Sequence, residues 1–291
     1  MKLLFLCFTF LLFFFTSCSQ NNQKELKIST NPWIGYAPLF YAQEKGYLSD
    51  INMKLITNVS LAESTALYDV GKVDMITATQ HEYYALQNSG HNIIPIILLD
   101  RSNGGDMVLS NKSINELQKA DKIHAYLEID SINAEVIEDF LKYYKLDKNK
   151  IEFINKDQSQ IQDLRSNHQD TMIIVTYSPY DIQLKKHGFH VVASTQDMRS
   201  IMVIDAIYTS KKIYQTQKNR LKDLKNIIDK SIQELTSDTK TSYKLVKSYL
   251  GDISYNEYID SLKLIKWINN PSQKLLERIK PMGYEKSQLI Q

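Results

Sequence analysis

The stretch LKISTNPWIGYAPLFYAQEKG, residues 26–46, contains a strand, a loop and a helix in that order. Leu26–Ser29 alternates apolar and polar residues, which is the pattern of a β-strand. Pro38–Lys45 has helical spacing, and Gly46 ends the helix. A strand joined to a helix by a short loop is the first half of a βαβ unit, so this segment predicts an α/β fold.

Strand and helix patterns continue to alternate on the C-terminal side of this segment. The next predicted strands and helices are Met53–Thr57, Leu61–Val70, Asp74–Ala78, His81–Asn88 and the fully apolar run Ile93–Leu99. A second series follows with strands Lys122–Tyr126, Ile151–Ile154 and Met172–Val175, and with helices Ile132–Tyr144, Gln158–Ser166 and Pro179–Lys186. Such alternation predicts mostly parallel sheets. Beyond Ser210 the pattern is helical to the end.

Two separate α/β series predict two lobes rather than one continuous sheet. The polar segment 100–106, which contains two glycines, separates the two series, and the chain returns through 199–206. We therefore expect lobe 1 to comprise 26–99 and 207–291, and lobe 2 to comprise 107–198. The segments 100–106 and 199–206 are the expected hinges.

The N-terminus has the pattern of an export signal. Lys2 precedes an apolar run too short to span a bilayer, and Thr16-Ser17-Cys18 follows it. Phe15-Thr16-Ser17-Cys18 resembles the lipobox of bacterial lipoproteins, although an aliphatic residue is usual where Phe15 stands. We expect a signal peptide over 1–17, a lipid on Cys18 and a tether over 18–25. The alternative is an ordinary cleaved signal with an incidental cysteine.

Composition and motifs argue against several functions. The chain has 35 basic and 33 acidic residues without a basic block, so we expect no nucleic-acid partner. Its only cysteines are Cys7 and Cys18, which leaves the exported body without a thiol for catalysis or a disulfide. No nucleophile elbow, metalloprotease motif or phosphate-binding loop is present. We therefore expect no catalytic residue, no metal and no cofactor.

Several polar and aromatic residues follow predicted strands, where ligands bind in open α/β sheets. Trp33 and Tyr36 can face a ligand or cover the sheet edge. Thr79 is a candidate N-cap of a helix whose N-terminus can also hold an oxyanion. Glu128 is either a receptor for an amino or amidine group or a carboxylate in solvent. Tyr177 lies at another strand-to-helix junction.

Four segments together resemble a known family. They are Gly35-Tyr36-Ala37-Pro38-Leu39-Phe40-Tyr41-Ala42 with Glu44-Lys45-Gly46-Tyr47, then Gly71-Lys72-Val73-Asp74-Met75-Ile76, Asp100-Arg101-Ser102-Asn103-Gly104-Gly105-Asp106 and Tyr177-Ser178-Pro179-Tyr180. They resemble the nitrate/sulfonate/taurine-type, NMT1/THI5-like substrate-binding proteins of ABC importers, a group that includes pyrimidine binders. The resemblance implies a type II periplasmic binding protein, a two-lobed Venus-flytrap with a helical C-terminal tail. It implies ligand contacts from Trp33, Tyr36, Thr79, Gln80, Ser102, Glu128, Ser131 and Tyr177.

The implied function is capture of a small molecule for an ABC permease in the inner membrane. The protein is then expected to be a monomeric lipoprotein facing the periplasm or the cell exterior. Nitrate, a sulfonate such as taurine, or a pyrimidine-like molecule are the candidate ligands, and the aromatics with Glu128 favour a flat or amine-bearing one. The alternatives are a ligand-sensing lobe of a membrane signalling protein, an exported protein without ligand, and a pyrimidine-synthase-like enzyme. The last uses a cysteine-rich motif that is absent after Cys18.

Overall fold

A computed structural model describes residues 24–167, 169–198, 200–251 and 253–290. The predicted signal peptide 1–17, Cys18 and most of the tether lie outside the described residues. The strands are β1 Leu26–Thr30, β2 Met53–Thr57, β3 Met75–Thr79, β4 Ile93–Ser102, β5 Asp106–Ser110, β6 Ile123–Leu127, β7 Ile151–Asn155, β8 Met172–Tyr177, β9 His190–Ser194, β10 Ile204–Ser210 and β11 Ile265–Trp267.

The strands form two sheets, which is the expected two-lobed α/β architecture. The sheet of lobe 1 has the order β11-β4-β10-β3-β1-β2, and the sheet of lobe 2 has the order β7-β6-β8-β5-β9. Strand β4 extends to Ser102 and β10 begins at Ile204, so both predicted hinges are partly strand. The limits of the lobes stay a prediction.

The prediction of mostly parallel sheets is wrong. In lobe 1, β1 pairs in parallel with β2 and β3, and in lobe 2, β6 pairs in parallel with β7 and β8. The other pairings, which involve β4, β5, β9, β10 and β11, are antiparallel. The chain crosses from one lobe to the other through β4 and β5 and returns into β10. Strand β10 runs against the parallel strands of lobe 1 and β5 runs against those of lobe 2, whereas β4, which is antiparallel to β10, has the direction of β1 and β3.

Helices cover both sheets. They are α1 Ala37–Glu44, α2 Tyr47–Asp50, α3 Leu61–Asp69, α4 Gln80–Asn88, α5 Ile114–Lys119, α6 Asn133–Tyr144, α7 Gln158–Ile161, α8 Tyr180–Lys186, α9 Lys211–Thr216, α10 Lys218–Ser237, α11 Thr239–Val246, α12 Tyr255–Leu262 and α13 Gln273–Ile279. Pro38 lies in the first turn of α1, and Gly46 follows that helix at a φ of 76°. None of the described helices is long and apolar enough to cross a bilayer.

The C-terminal tail is not wholly helical, which corrects the prediction beyond Ser210. Helix α12 ends at Leu262, and β11 follows it within the region expected to be helical. Strand β11 pairs with the end of β4, where Trp267 lies opposite Asp100. The tail therefore adds an edge strand beside the first crossing between the lobes.

The two lobes are in direct contact. The Tyr180 hydroxyl of lobe 2 donates to the Val59 carbonyl of lobe 1 at 2.9 Å. Lys186 of lobe 2 forms an ion pair with Glu257 of lobe 1 at 2.9 Å. These two contacts join the lobes across the cleft.

Candidate ligand site between the two lobes

A small cavity lies in the cleft, at the carboxyl ends of parallel strands from both sheets. Its volume is about 20 Å³, which is room for about one water molecule. The lining residues come from both lobes and both crossings: Asn31, Trp33, Tyr36, Leu61, Thr79, Asp106, Ile132, Tyr177 and Asp205. The position beyond the strand ends is where α/β sheets bind ligands.

A wider groove opens at the edge of the same cleft. Its volume is about 680 Å³, and it has walls from both lobes. Tyr180 lines this groove and also packs its ring edge against Tyr177, with the ring centroids 5.4 Å apart. Tyr177 in turn lines the inner cavity. Movement of Tyr180 would therefore connect the groove with the cavity.

Trp33 is held in place by a carboxylate and two glycines. Its Nε1 donates to both oxygens of Asp100, each at 3.3 Å, and its ring meets the edge of Tyr177 at 5.9 Å. A Cβ on Gly35 would lie 2.0 Å from Asp100 Oδ2, and a Cβ on Gly105 would lie 2.4 Å from Trp33 Cη2. Both positions therefore require glycine for the indole to pack here.

Two carboxyl groups face each other across the crossing strands. Asp100 in β4 and Asp205 in β10 are direct cross-strand partners, and both are buried. Burial, and secondly the neighbouring acids, raise the pKa of Asp205 well above its usual range. Burial does the same for the pKa of Asp100. Tyr36 donates its hydroxyl to Asp205 Oδ1 at 2.5 Å. Repulsion from Asp100 adds to the effect of burial and opposes ionisation of Asp205.

Asp106, the first residue of β5, has an oxygen without a partner. Only 3 % of the residue is exposed, and its Oδ2 accepts no hydrogen bond. The Asp106 backbone N–H donates to Ser102 Oγ at 2.9 Å, which fixes the residue at the crossing. Burial raises the pKa of the Asp106 carboxyl to about 7. A partner for Oδ2 must therefore come from the cavity.

The helix N-terminus expected to hold an oxyanion is capped by the chain's own side chains, with the Thr79 hydroxyl accepting from the His81 backbone N–H at 3.1 Å. Thr79 and Glu82 form a capping box, with Glu82 Oε2 accepting from the Thr79 backbone N–H at 3.0 Å and from its hydroxyl at 2.5 Å. Glu82 Oε1 accepts from the Ile132 backbone N–H at 2.9 Å, at the start of α6 in lobe 2. The Glu82 carboxylate thus accepts hydrogen bonds from backbone N–H groups at the start of one helix in each lobe.

Glu128 is buried, so its interpretation as a carboxylate in solvent is wrong. The residue is 3 % exposed, and burial raises the pKa of its carboxyl to about 8. Glu128 Oε1 accepts from the Gln158 backbone N–H at 3.3 Å, while Oε2 has no partner. Glu128 is not among the residues that line the small cavity.

The other predicted site residues divide into two groups. Trp33, Tyr36, Thr79 and Tyr177 line the cavity. The rest lie behind it: Gln80 Nε2 donates to the Met202 carbonyl at 3.0 Å, Ser102 Oγ lies 2.7 Å from Thr195 Oγ1, and Ser131 Oγ donates to the Glu128 carbonyl at 3.0 Å. Ligand contact by any of the eight stays a prediction.

The sequence reasoning missed Asn31, Asp106 and Asp205 as cavity residues. Their positions in the sequence could have indicated two of them. Asp205 lies within the apolar strand β10, and Asp106 is the first residue of the buried strand β5. A carboxylate within an apolar strand is costly to bury and so often marks a functional site. In the described part of the chain, no group of three or more His, Cys, Asp or Glu side chains is arranged to hold a metal.

Solved structures share this fold at low sequence identity. The ligand-binding component of an ABC-type import system from Staphylococcus aureus, solved with zinc bound, is 15 % identical with a TM-score of 0.71, over 92 % of this chain and 97 % of that one. The periplasmic aliphatic sulphonate binding protein SsuA from Escherichia coli is 10 % identical with a TM-score of 0.71, over 90 % and 86 %. The periplasmic nitrate-binding protein NrtA from Synechocystis PCC 6803 is 12 % identical with a TM-score of 0.63, over 81 % and 69 %.

Sequence comparisons give the family directly. No curated protein matches the chain by sequence. The family described as "NMT1/THI5 like" matches residues 33–241, which span the loop after β1, both crossings and all of lobe 2. With the periplasmic binding protein fold of the two lobes, this match shows that the chain belongs to the NMT1/THI5-like family.

Proposed function

We propose that this protein is an extracytoplasmic solute-binding protein, which captures a small molecule between its lobes and delivers it to an ABC import permease. The observation that carries the proposal is the closed cavity at the crossing strands, where Asp106 Oδ2 and Asn31 Oδ1 are buried without partners. Buried polar atoms without partners destabilise a protein by themselves. A ligand that donates hydrogen bonds here would remove that cost.

The placement of the cavity supports a mechanism of lobe closure. The cavity has room for about one water molecule, so a larger solute enters only when the lobes separate. Hinge closure around a ligand is a common way to bury a solute. Asp106 and Asp205 lie at the two crossings between the lobes. A ligand that contacts them would therefore act on the segments about which the lobes rotate.

The comparisons support import as the purpose of binding. The structures from Staphylococcus aureus, Escherichia coli and Synechocystis are described as import-system, sulphonate-binding and nitrate-binding proteins. Their identity to this chain is 15 % or less, so their ligands do not transfer with the fold. We propose the import role for this chain, and we infer the class of its ligand from the residues of its own cleft.

The proposal includes a lipid on Cys18 that keeps the protein beside its permease. A short polar tether then separates the anchor from β1, which begins at Leu26. Metabolic labelling with palmitate tests this directly. The full-length chain should take up label and the Cys18→Ser variant should not, whereas equal labelling of both would contradict the anchor.

Thermal unfolding tests the binding function. The full-length protein is mixed with the small-molecule fraction of growth medium and of a cell extract. A ligand present at 100 times its dissociation constant adds about 2.7 kcal/mol of stability, which is a readily measured shift in midpoint. The Asp106→Asn variant should shift less. If no fraction shifts the wild-type midpoint, the binding function is contradicted.

A further inference from the structure

We infer, on the basis of the proposed function, that the ligand of this cleft is a small organic cation whose N–H groups are received by Asp106, rather than an oxyanion such as nitrate or a sulfonate. The inference concerns the charge and hydrogen-bonding class of the solute. It follows from the carboxyl groups in the cleft, from the atoms that lack partners and from the helix N-termini that are already occupied.

Acidic groups dominate the cleft. Five buried carboxyl groups lie in or directly behind it: Glu82, Asp100, Asp106, Glu128 and Asp205. Among the described residues that line the cavity, none is a Lys, Arg or His. An oxyanion placed here would meet no cation to offset its desolvation, and it would oppose ionisation of the carboxyl groups around it, whereas a cation would favour that ionisation.

First-turn backbone N–H groups of the two helices that begin in the cleft already have acceptors: His81 N–H donates to Thr79 Oγ1 at 3.1 Å, and Asn133 N–H donates to Ser131 Oγ at 3.2 Å. Helix α4 has nine residues and α6 has twelve, and the starts of both meet at Glu82. The Glu82 carboxylate accepts from the Thr79 backbone N–H at 3.0 Å and from the Ile132 backbone N–H at 2.9 Å. This internal carboxylate therefore joins the starts of the two helices across the lobes, and it is the acceptor for backbone N–H groups of both.

The unpartnered atoms that line the cavity are acceptors. Asp106 Oδ2 and Asn31 Oδ1 belong to residues that are 3 % and 2 % exposed, and neither oxygen accepts a hydrogen bond. Asn31 is fixed by its Nδ2, which donates to the Tyr177 hydroxyl at 3.1 Å. A ligand with two or more N–H donors satisfies both oxygens, and a positive charge on it also compensates Asp106.

The aromatic lining fits an organic cation. Trp33, Tyr36 and Tyr177 line the same cavity as Asp106. Aromatic rings bind cations through their negative faces and provide apolar contact for a flat ligand. A flat ligand with a protonated nitrogen would use both the rings and the carboxylate.

Binding of such a cation should release a proton. The ionisable groups that face Asp106 from the surrounding strands and helices are Glu82, Asp100, Tyr177 and Asp205, and none of them is basic. Burial raises the pKa of Asp106 to about 7, so at pH 6 most of this group is protonated without ligand. A cation beside it favours the ionised form, so the proton leaves as the ligand binds.

Isothermal titration calorimetry of the full-length protein at pH 6 tests the inference. The cationic probes are methylguanidinium and 4-aminopyridinium, the anionic probes are nitrate and methanesulfonate, and each titration is run in two buffers of different ionisation enthalpy. At least one cation should bind with proton release. Asp106→Asn should weaken it by about tenfold to a hundredfold, the effect of losing one charge-assisted hydrogen bond, and should abolish proton release. Asp260→Asn, which removes an exposed carboxylate from α12, should change neither.

Three results would overturn the inference: no binding of either cation, equal binding by the wild type and Asp106→Asn, or tighter binding of nitrate or methanesulfonate. The thermal unfolding test separates these from failure of the proposed function. If a small-molecule fraction stabilises the protein while the cations do not bind, the solute-binding function stands and only the charge class is wrong.

Discussion

Raising the pH from 5 to 8 should lower the free energy of unfolding of the ligand-free protein. The Asp106→Asn substitution should remove the part of this decrease that comes from ionisation of Asp106. The Asp106 carboxyl has a pKa of about 7 in the folded chain because of burial, against 3.8 for an ordinary aspartate. The folded form therefore binds the proton more tightly than the unfolded form. Stability falls as pH rises between these two values and is then constant for this group.

The magnitude follows from the two pKa values. At about 1.4 kcal/mol for each pH unit, the difference between 3.8 and about 7 corresponds to roughly 4 kcal/mol, of which about half is lost between pH 5 and pH 7. Because Asp106 is 3 % exposed, solvent screening reduces this figure little. Glu128, with a pKa of about 8, extends the loss to higher pH in the same direction.

Groups elsewhere in the chain do not cancel this effect. Glu257 has a pKa lowered to about 2, chiefly by its bond to Lys186, so its contribution changes below pH 5. His81 has a raised pKa, and its stabilising contribution is lost as pH rises, as for Asp106. Both groups are present in the wild type and in Asp106→Asn, so they cancel from the difference, which reports Asp106 together with its effect on the pKa of Asp100 and of Asp205.

Urea unfolding at constant ionic strength provides the assay. The free energy of unfolding is extrapolated to water at pH 5, 6, 7 and 8 for both proteins. The wild-type curve should fall more steeply than the variant curve between pH 5 and 7, by about 2 kcal/mol. Parallel curves, or a wild-type curve that rises with pH, would refute the burial of an uncompensated carboxyl in the cleft.

Three further substitutions test separate parts of the site. Gly35→Ala places a Cβ 2.0 Å from a buried carboxylate oxygen, so it should lower the free energy of unfolding by about 2 kcal/mol or more, and an unchanged urea midpoint would contradict the packing. Glu82→Gln replaces one of two acceptor oxygens with a donor, so it should open the lobes and increase the radius of gyration in X-ray scattering. Glu116→Gln, in a capping box confined to lobe 2, should leave that radius unchanged, and equal radii for both variants would exclude a role of Glu82 in closure. Glu135→Gln removes the main cause of the raised pKa of His81, which should then titrate at lower pH by NMR; an unchanged titration would rule out their 2.9 Å contact across the cleft.

The sequence was sufficient for the elements whose patterns are local. Residues 26–46 predicted β1 and α1 because apolar spacing, Pro38 and Gly46 act within a few residues of each other. The same holds for the apolar run of β4, which is buried as a central strand should be. The short strand β11 was not predicted, since three residues within a helical region carry too little periodicity.

The side chains of the cleft are brought together by pairing of strands that are far apart in the sequence, and the local hydrophobic pattern does not predict that pairing. Asp100 and Asp205 are more than a hundred residues apart, and they face each other only because β4 and β10 are neighbours. The sequence placed Thr79 correctly as an N-cap. It did not indicate that Glu82, in the same capping box, would also accept from the Ile132 backbone N–H of lobe 2.

Native mass spectrometry of the full-length protein, purified without denaturation, tests most directly whether the cleft is a solute-binding site. The wild type should carry one small molecule that collisional activation releases, and Asp106→Asn should show the bare chain under the same conditions. Retention of the same molecule by both proteins, or a bare mass for both, would contradict binding in the cavity at Asp106.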